Sequence, residues 1–424
     1  MLKFIHAADI HLDSPLNNLK PYDGAPTEDF RQCTRRAFEN LIELAIVKKV
    51  AFLLISGDLY DQDWKDFSTG LYFQKQMGRL RDAGIGVFII KGNHDAASQI
   101  TRSLILPDNV RVFSSDQPES IRLDDIRVAI HGQSFSTPAI KKDLSRKYPK
   151  PLDGYYNIGM LHTCLSGREG HEPYAPCDLT RLINTGYDYW ALGHVHQHEI
   201  IHENPHVIYA GSLQGRHIRE VNPKGCVLVR VDDTHKTEIE FLPLDVIRWT
   251  HVHIDAHGIE TPYELRDRVE QQLKEIAGEH NGMPVAARIR IEGETTVSDE
   301  VLSDVDQWIN IIRGITVSSG TGCVWIEKIT FNLWMPAGDL QSIVTDGAIG
   351  EVLLLLDEMK NNPEMCQEIS AELMDLEKKL PPEMKNISDG IKPGSPEWIF
   401  ELLNQVQPGL IGRLLSRERR SYEN

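Results

Sequence analysis

Gly86-Val87-Phe88-Ile89-Ile90-Lys91-Gly92-Asn93-His94-Asp95 is the stretch on which the fold reading turns. An apolar run of strand length stops abruptly at Gly-Asn-His-Asp, residues that favour turns or carry chemistry. Working outward, the same pattern repeats toward the N-terminus. Ala51–Ser56 is a second buried strand, closed by Gly57-Asp58, and Phe67–Arg81 between the two has helical spacing. Before it, Asp29–Lys49 sets Phe30, Ala37, Leu41, Leu44 and Ala45 on one helical face, and Leu2–Ala8 is a short strand entering Asp9-Ile10-His11. This strand–helix–strand rhythm predicts βαβ units. Toward the C-terminus, strands are predicted at Ile126–His131, Asn157–Leu161, Tyr187–Leu192, His206–Tyr209 and Gly225–Val231. Residues 1–245 are therefore expected to be α/β, with two sheets packed face to face and helices outside.

The chain has 424 residues, enough for two or three domains. Residues 246–335 change character: strands at Val246–Asp255, Val285–Glu292 and Cys323–Leu333 flank helices at Pro262–Ala277 and Ser298–Ile312, the latter with Ser298 as its N-cap. This predicts a smaller α/β domain. Residues 336–424 read as helices separated by proline joints, with an apolar stripe from Ile399 to Leu415 beside Arg413, Arg417, Arg419 and Arg420. That stripe suits either docking on a partner or packing on its own chain. Six cysteines without a CxxC pair suggest reduced thiols. The absence of a signal-like N-terminus or a long apolar run points to a cytoplasmic protein with no membrane span.

Charge and histidine are unevenly shared. Residues 1–244 hold 28 Lys+Arg against 31 Asp+Glu, a net of −3 within a chain total of −17. Thirteen of the 17 histidines precede residue 250, so chemistry is expected there. Five short pieces stand at the ends of predicted strands: Asp9-Ile10-His11, Gly57-Asp58, Gly92-Asn93-His94-Asp95, His162 and Gly193-His194-Val195-His196. Ligand sites in α/β layers gather at the carboxyl ends of strands. A set of carboxylates, one amide oxygen and imidazoles suits Mn²⁺, Fe²⁺ or Zn²⁺ rather than a thiolate site. Each piece alone is weak, whereas the ordered set is specific.

D-x-H, GD, GNH[DE], H and GHxH in this order resemble the calcineurin-like metallophosphoesterases, over about residues 1–245. Within them the chain is similar to the SbcD-type DNA repair nucleases, and Tyr209-Ala210-Gly211-Ser212-Leu213-Gln214-Gly215-Arg216-His217-Ile218-Arg219-Glu220 resembles the YhaO branch. The resemblance implies a two-sheet, four-layer sandwich with a capping domain. It also implies two divalent ions, manganese first, with iron or zinc as alternatives. Asp9, His11, Asp58 and His196 would hold one ion, and Asp58, Asn93, His162 and His194 the other. His94 would be catalytic, either protonating the leaving group or stabilising the pentavalent transition state. Asp95 would either fix the His94 tautomer or only cap a loop. Arg216 and His217 would contact substrate phosphate or merely form salt bridges. Asp61 stands where related double-strand-break nucleases often carry His.

The implied substrate is DNA, cut as an exonuclease or endonuclease. The implied partners are a second copy of the chain and a long coiled-coil ABC-type ATPase. Arg31, Arg35, Arg36 and the loop bearing Lys141, Lys142, Arg146, Lys147 and Lys150 add mild support for DNA. The rivals are a nucleotide or cyclic-nucleotide phosphodiesterase on the same metals, and a scaffold without catalysis.

Overall fold

A computed structural model of the protein describes residues 1–14, 16, 30, 32–61, 67–97, 105–165, 174–318, 321–336, 348–362, 365–371, 398–400, 402, 403, 406, 407 and 410. The chain divides into two units, Met1–Thr250 with Met283–Ala286, and His251–Gly282 with Ala287–Asn424.

In the first unit, strand β1 (Leu2–Ala7) sends Phe4 to one face and Ile5 and Ala7 to the other, all fully buried. The next strands in its sheet, β2 (Phe52–Ser56) and β3 (Gly86–Ile90), behave alike. Phe52, Leu54, Phe88 and Ile90 face an inner core, while Leu53, Ile55, Val87 and Ile89 face an outer one. Burial on both faces is why these strands read as unbroken apolar runs. Helix α1 (Cys33–Lys48) covers the outer face with Ala37, Phe38, Leu41 and Ala45, and α2 (Phe67–Asp82) adds Phe73, Met77 and Leu80. Asp29, the expected start of the first helix, lies outside the described residues.

β4 (Val110–Val112) pairs parallel to β3 at one end of this sheet. At the other end β1 pairs antiparallel with β11 (Gly225–Val231), which pairs with β12 (Thr237–Pro243). The second sheet runs in the order β5 (Glu119–Leu123), β6 (Val128–Gly132), β7 (Tyr156–His162), β8 (Tyr189–Gly193), β10 (His206–Tyr209), β9 (Glu199–Glu203). Its inner face brings Ile130, Tyr156, Ile158, Tyr189 and Ile208 against the first sheet's inner core. Its outer face packs Trp190, Leu192 and Val207 around Leu182 of a short helix (Leu179–Asn184). The first unit is thus a two-sheet sandwich with helices outside.

The second unit contains the sheet β13 (Arg248–Asp255), β14 (Val285–Glu294), β15 (Val324–Trp334). Thr261 and Glu264 form a capping box at the start of the helix Pro262–Glu279, which buries Leu265, Val269 and Leu273. The expected single helix Ser298–Ile312 is two, Ser298–Ser303 and Val305–Ser318. Val297 takes the first N-cap position, so Ser298 is not the cap. Asp304 breaks the run and its Oδ1 accepts the Gln307 N–H at 3.0 Å, opening the second helix. A further helix covers Ala348–Asn361. The proline joints at 381, 382, 393 and 396, and the arginines at 413, 417, 419 and 420, lie outside the described residues. All six cysteines are unpaired. Among the described residues, no helix is long and apolar enough to cross a membrane.

The inner core of the sandwich rests on large rings: Phe52 stacks on Phe4 at 5.0 Å and meets Phe88 edge-on at 5.8 Å. Phe52→Ala is expected to destabilise the protein by about 3–5 kcal/mol. The check is a urea titration, in which the midpoint falls.

Candidate metal centre

The loops leaving β1 and β2 are tied together by their backbones. Asp9 N–H donates to Gly57 O at 3.0 Å, His11 N–H to Asp58 O at 3.0 Å, and Leu12 N–H to Leu59 O at 2.9 Å. Within this crossing, Asp9, His11 and Asp58 have φ of 49°, 45° and 53°, and His194 beyond β8 has 100°. Such left-handed backbone costs non-glycine residues on the order of 1–3 kcal/mol each and persists only where surroundings enforce it. Side chains brace it here. The Asp9 carboxylate accepts the His194 N–H at 3.0 and 3.1 Å, and Asp58 Oδ1 accepts the His94 N–H at 2.9 Å. No room remains between the loops: a Cβ on Gly92 would lie 2.2 Å from Asp58 Oδ1 and 2.8 Å from His162 Cε1.

Three imidazoles are held by one ring nitrogen so that the other points inward. His162 Nδ1 faces Ser56 O at 3.0 Å, leaving Nε2 at 3.0 Å from Asn93 Oδ1 and 3.4 Å from Asp58 Oδ2. His11 Nδ1 meets Asp61 Oδ1 at 2.7 Å, while its buried Nε2 has no hydrogen-bond partner and stands 4.0 Å from Asp58 Oδ2. His196 Nδ1 meets Glu220 Oε1 at 2.6 Å, with Nε2 at 3.9 Å from Asp9 Oδ1. With Nδ1 the donor in each, the inward nitrogens are lone pairs directed at carboxylates. Tight donor groups result at Asp9–His11–His196 and Asp9–Asp58–His162, with a third at His11–Asp61–His94. Acceptors facing acceptors need a cation among them. A divalent metal fits, because the donors are deprotonated carboxylates and imidazoles whose far nitrogens are already fixed.

The electrostatics express the same demand. Burial alone would lower the His162 pKa, yet Asp58 and Asp9 raise it to about 9, so the pocket draws positive charge to that nitrogen. Burial alone would raise Asp58, but His162, His11 and His94 hold its carboxyl far below the usual range. Burial lowers His11 to about 4, with Arg216 adding to the effect.

The structure brings Asp9, His11, Asp58, Asn93, His162 and His196 to one place. His194 contributes its backbone N–H to Asp9, and its ring sits edge-on to His162 at 5.3 Å, outside the tight donor groups. His94 lies against His11 with ring centroids 4.8 Å apart. Asp95 makes the contacts that its loop-capping alternative calls for. Asp95 Oδ2 accepts Leu59 N–H and Gly92 N–H at 3.1 Å, and Oδ1 accepts Tyr60 N–H at 2.9 Å. The carboxylate 3.1 Å from His94 Nδ1 is Asp61's, without hydrogen-bonding alignment. Burial and the charge of Asp58 push the Asp95 carboxyl up to about 6.

Arg216 is directed inward rather than to open solvent. Its Nη1 donates to Ser14 Oγ at 3.1 Å and to Asp61 Oδ2 at 3.2 Å. His217 Nε2 lies 3.3 Å from Glu220 Oε1. Asp61 and Glu220, the two carboxylates that orient His11 and His196, escape a sequence search for ligands because they touch ligands from the far side. The one signal was the location of Asp61 three residues after Asp58, and of Glu220 at the end of the Tyr209–Glu220 stretch.

Buried acid–imidazole clusters at the carboxyl ends of two facing sheets define a metal-dependent hydrolase of phosphoester bonds once the family is known. Residues 2–198 match the calcineurin-like phosphoesterase family, and residues 249–333 match the middle domain of metallophosphoesterase YhaO. The chain belongs to the YhaO branch of the calcineurin-like metallophosphoesterases. It is 36% identical over 296 residues to the uncharacterized metallophosphoesterase YhaO of Bacillus subtilis (strain 168), covering 69% of this chain and 72% of that one. It is 26% identical over 312 residues to the DNA double-strand break repair protein Mre11 of Methanopyrus kandleri, covering 66% and 65%. Mre11 of Sulfurisphaera tokodaii matches at 22% over 322 residues, covering 72% and 77%.

Glu220→Gln leaves His196 with a weaker acceptor behind it. Cation affinity is expected to fall about 10–100-fold, read by calorimetric titration of the metal-stripped protein with Mn²⁺. Gly92→Ala, by contrast, is expected to abolish high-affinity binding, because its Cβ would meet Asp58 Oδ1 at 2.2 Å. The same titration checks it, alongside circular dichroism to confirm folding.

Proposed function

We propose that the protein is a manganese-dependent DNA nuclease that hydrolyses phosphodiester bonds on two metal ions. The observation that carries this reading is the convergence of inward imidazole nitrogens on Asp9, Asp58 and Asn93. Asp9, His11, Asp58 and His196 would hold one ion. Asp58, Asn93, His162 and His194 would hold the other, with Asp58 shared. A pair of such ions clamps a phosphate and makes an attacking water available at neutral pH.

The chain's own groups do the rest. Asp61, backed by Arg216, stands at His94 Nδ1, which leaves His94 Nε2 to carry the proton given to the departing oxygen. A general acid placed in this way is worth about 10²–10⁴ in rate. Asp95 holds the loop from Gly92 against Leu59 and Tyr60, and so fixes where His94 begins. Arg216 acts through Asp61, and His217, beside Glu220, stays available to contact substrate. DNA as substrate is supported by the similarity to proteins named for double-strand break repair. A second copy of the chain and a coiled-coil ABC-type ATPase are the partners that accompany this reading.

The test is hydrolysis of linear and circular plasmid DNA, bis-p-nitrophenyl phosphate and cyclic nucleotides with Mn²⁺. Cleavage of DNA and of the small diester is expected. Turnover of nucleotides alone would replace the nuclease reading with a nucleotide phosphodiesterase. His94→Ala is expected to retain Mn²⁺ binding while kcat falls about 10²–10⁴-fold. Asp58→Asn is expected to lose both ions, as measured by metal analysis after gel filtration.

A further inference from the structure

Between β6 and β7 the chain carries Lys141, Lys142, Arg146, Lys147 and Lys150, with Asp143 as the one acid between residues 138 and 150. In a chain of net charge −17, a local net of +4 over these residues is a marked reversal. The four lysines are exposed, and among the described residues none of them enters an ion pair. Asp143 organises the turn instead. It caps it through the Ser145 N–H at 3.0 Å, and its Oδ2 meets both Arg146 Nε and Arg181 Nε at 3.3 Å. One carboxylate therefore sets two guanidinium groups side by side, 69% and 44% exposed.

These cations border a depression of about 560 Å³ between this turn and the helix Leu179–Asn184. Arg146, Lys150 and Arg181 line it together with Ser145, Thr180, Asn184 and Thr185. The acid among its lining residues is Asp178, whose carboxylate is engaged in capping that helix through the Thr180 N–H at 2.7 Å. The lining is thus cationic and rich in hydrogen-bond donors. Its placement is also specific. At one end, Ile140 O accepts the Ala175 N–H, and the neighbouring Tyr174 ring meets His194 at 5.6 Å. At the other end, Pro149 O accepts the Tyr187 hydroxyl at 2.7 Å, at the entry to β8. The track leads from beside the metal centre along the outer face of the second sheet.

We propose that this track seats the phosphodiester backbone of a nucleic acid strand whose reacting phosphate lies at the metal centre. The inference rests on the nuclease reading and deepens it by giving the substrate a path. Arg146, Lys150 and Arg181 at the depression, with the exposed Lys141, Lys142 and Lys147 on the same connection, offer separate cations for successive phosphates. A mononucleotide at the metal centre would not reach it. Release of counterions makes such contacts steeply salt-dependent, at about 0.7–0.9 in the log–log slope per phosphate contact.

The experiment compares the full-length protein with Lys141→Gln/Lys142→Gln/Lys147→Gln/Lys150→Gln, and with Arg181→Gln in case the first variant folds poorly. A Lys48→Gln/Lys49→Gln/Lys75→Gln/Lys236→Gln variant, which removes the same four charges elsewhere, controls for net charge. Binding of a short fluorescein-labelled DNA is followed by anisotropy in EDTA across a salt series, and bis-p-nitrophenyl phosphate hydrolysis is followed with Mn²⁺. The expected result is about a tenfold or greater loss of DNA affinity and a shallower salt slope in the track variants, with small-diester turnover unchanged and the control unaffected. DNA affinity equal to wild type in both track variants overturns the track while leaving the nuclease reading intact. A wild-type protein that hydrolyses the small diester but neither binds nor cuts DNA overturns the nuclease reading and the track with it. Loss of affinity equal in the control and track variants also overturns the track, since net charge would then account for it.

Discussion

Mutual repulsion of buried lone pairs is the constraint around which the first unit is organised. Asp9 and Asp58 are 1% exposed and His11 and His162 fully buried, so water cannot relieve the crowding of their acceptor atoms. Each imaginable relief is positive charge: a proton on His162, or a metal among the donors. The fold stabilises this arrangement from behind. Ser56 O, Asp61 and Glu220 occupy the outward nitrogens of His162, His11 and His196, and thereby fix which nitrogen faces in. Arg216 balances the second ring of acids by contacting Asp61, and lies 3.9 Å from Glu220. A centre built only from its inner residues would have imidazoles free to rotate. A centre with the outer acids but without Arg216 would gather uncompensated negative charge.

The two sheets divide the work. The first supplies Asp9, His11, Asp58 and Asn93 from the ends of β1, β2 and β3, and the second supplies His162, His194 and His196 from β7 and β8. Parallel order within each half, β1–β2–β3 and β6–β7–β8, directs these carboxyl ends the same way. Left-handed backbone at Asp9, His11, Asp58 and His194 then turns each side chain off its strand axis. Strain localised at these positions is tolerated because inter-loop hydrogen bonds over-determine the geometry.

Much of this was legible in the sequence, for a physical reason. Doubly buried central strands are continuous apolar runs, and chemistry-bearing residues follow them at once. β1, β2, β3, β7 and β8 could therefore be placed to within a residue or two. β4, β5, β9 and β12 were not seen, because edge strands are partly solvated and lack that signal; Glu119–Leu123 and Glu199–Glu203 contain no fully buried residue. For Asp95 the sequence left two roles open, orienting His94 or capping a loop, and its hydrogen bonds from the Leu59 and Tyr60 N–H groups are loop contacts that span more than 30 residues. The orienting roles of the outer acids were illegible because Asp61 lies 50 residues from His11 and Glu220 lies 24 from His196, separations that no local pattern encodes.

The origin of the donors on opposite sheets carries a mechanical consequence. The inner faces of the sandwich meet through aliphatic and aromatic contacts, and buried hydrogen bonds cross between the sheets at His6 Nδ1 to the Tyr189 hydroxyl and Ser56 Oγ to Ala191 O, both 3.0 Å. An ion gripped from both sides would add one more tie across that seam. Occupancy of the centre would then stabilise the folded sandwich, by an amount that rises with the free cation concentration.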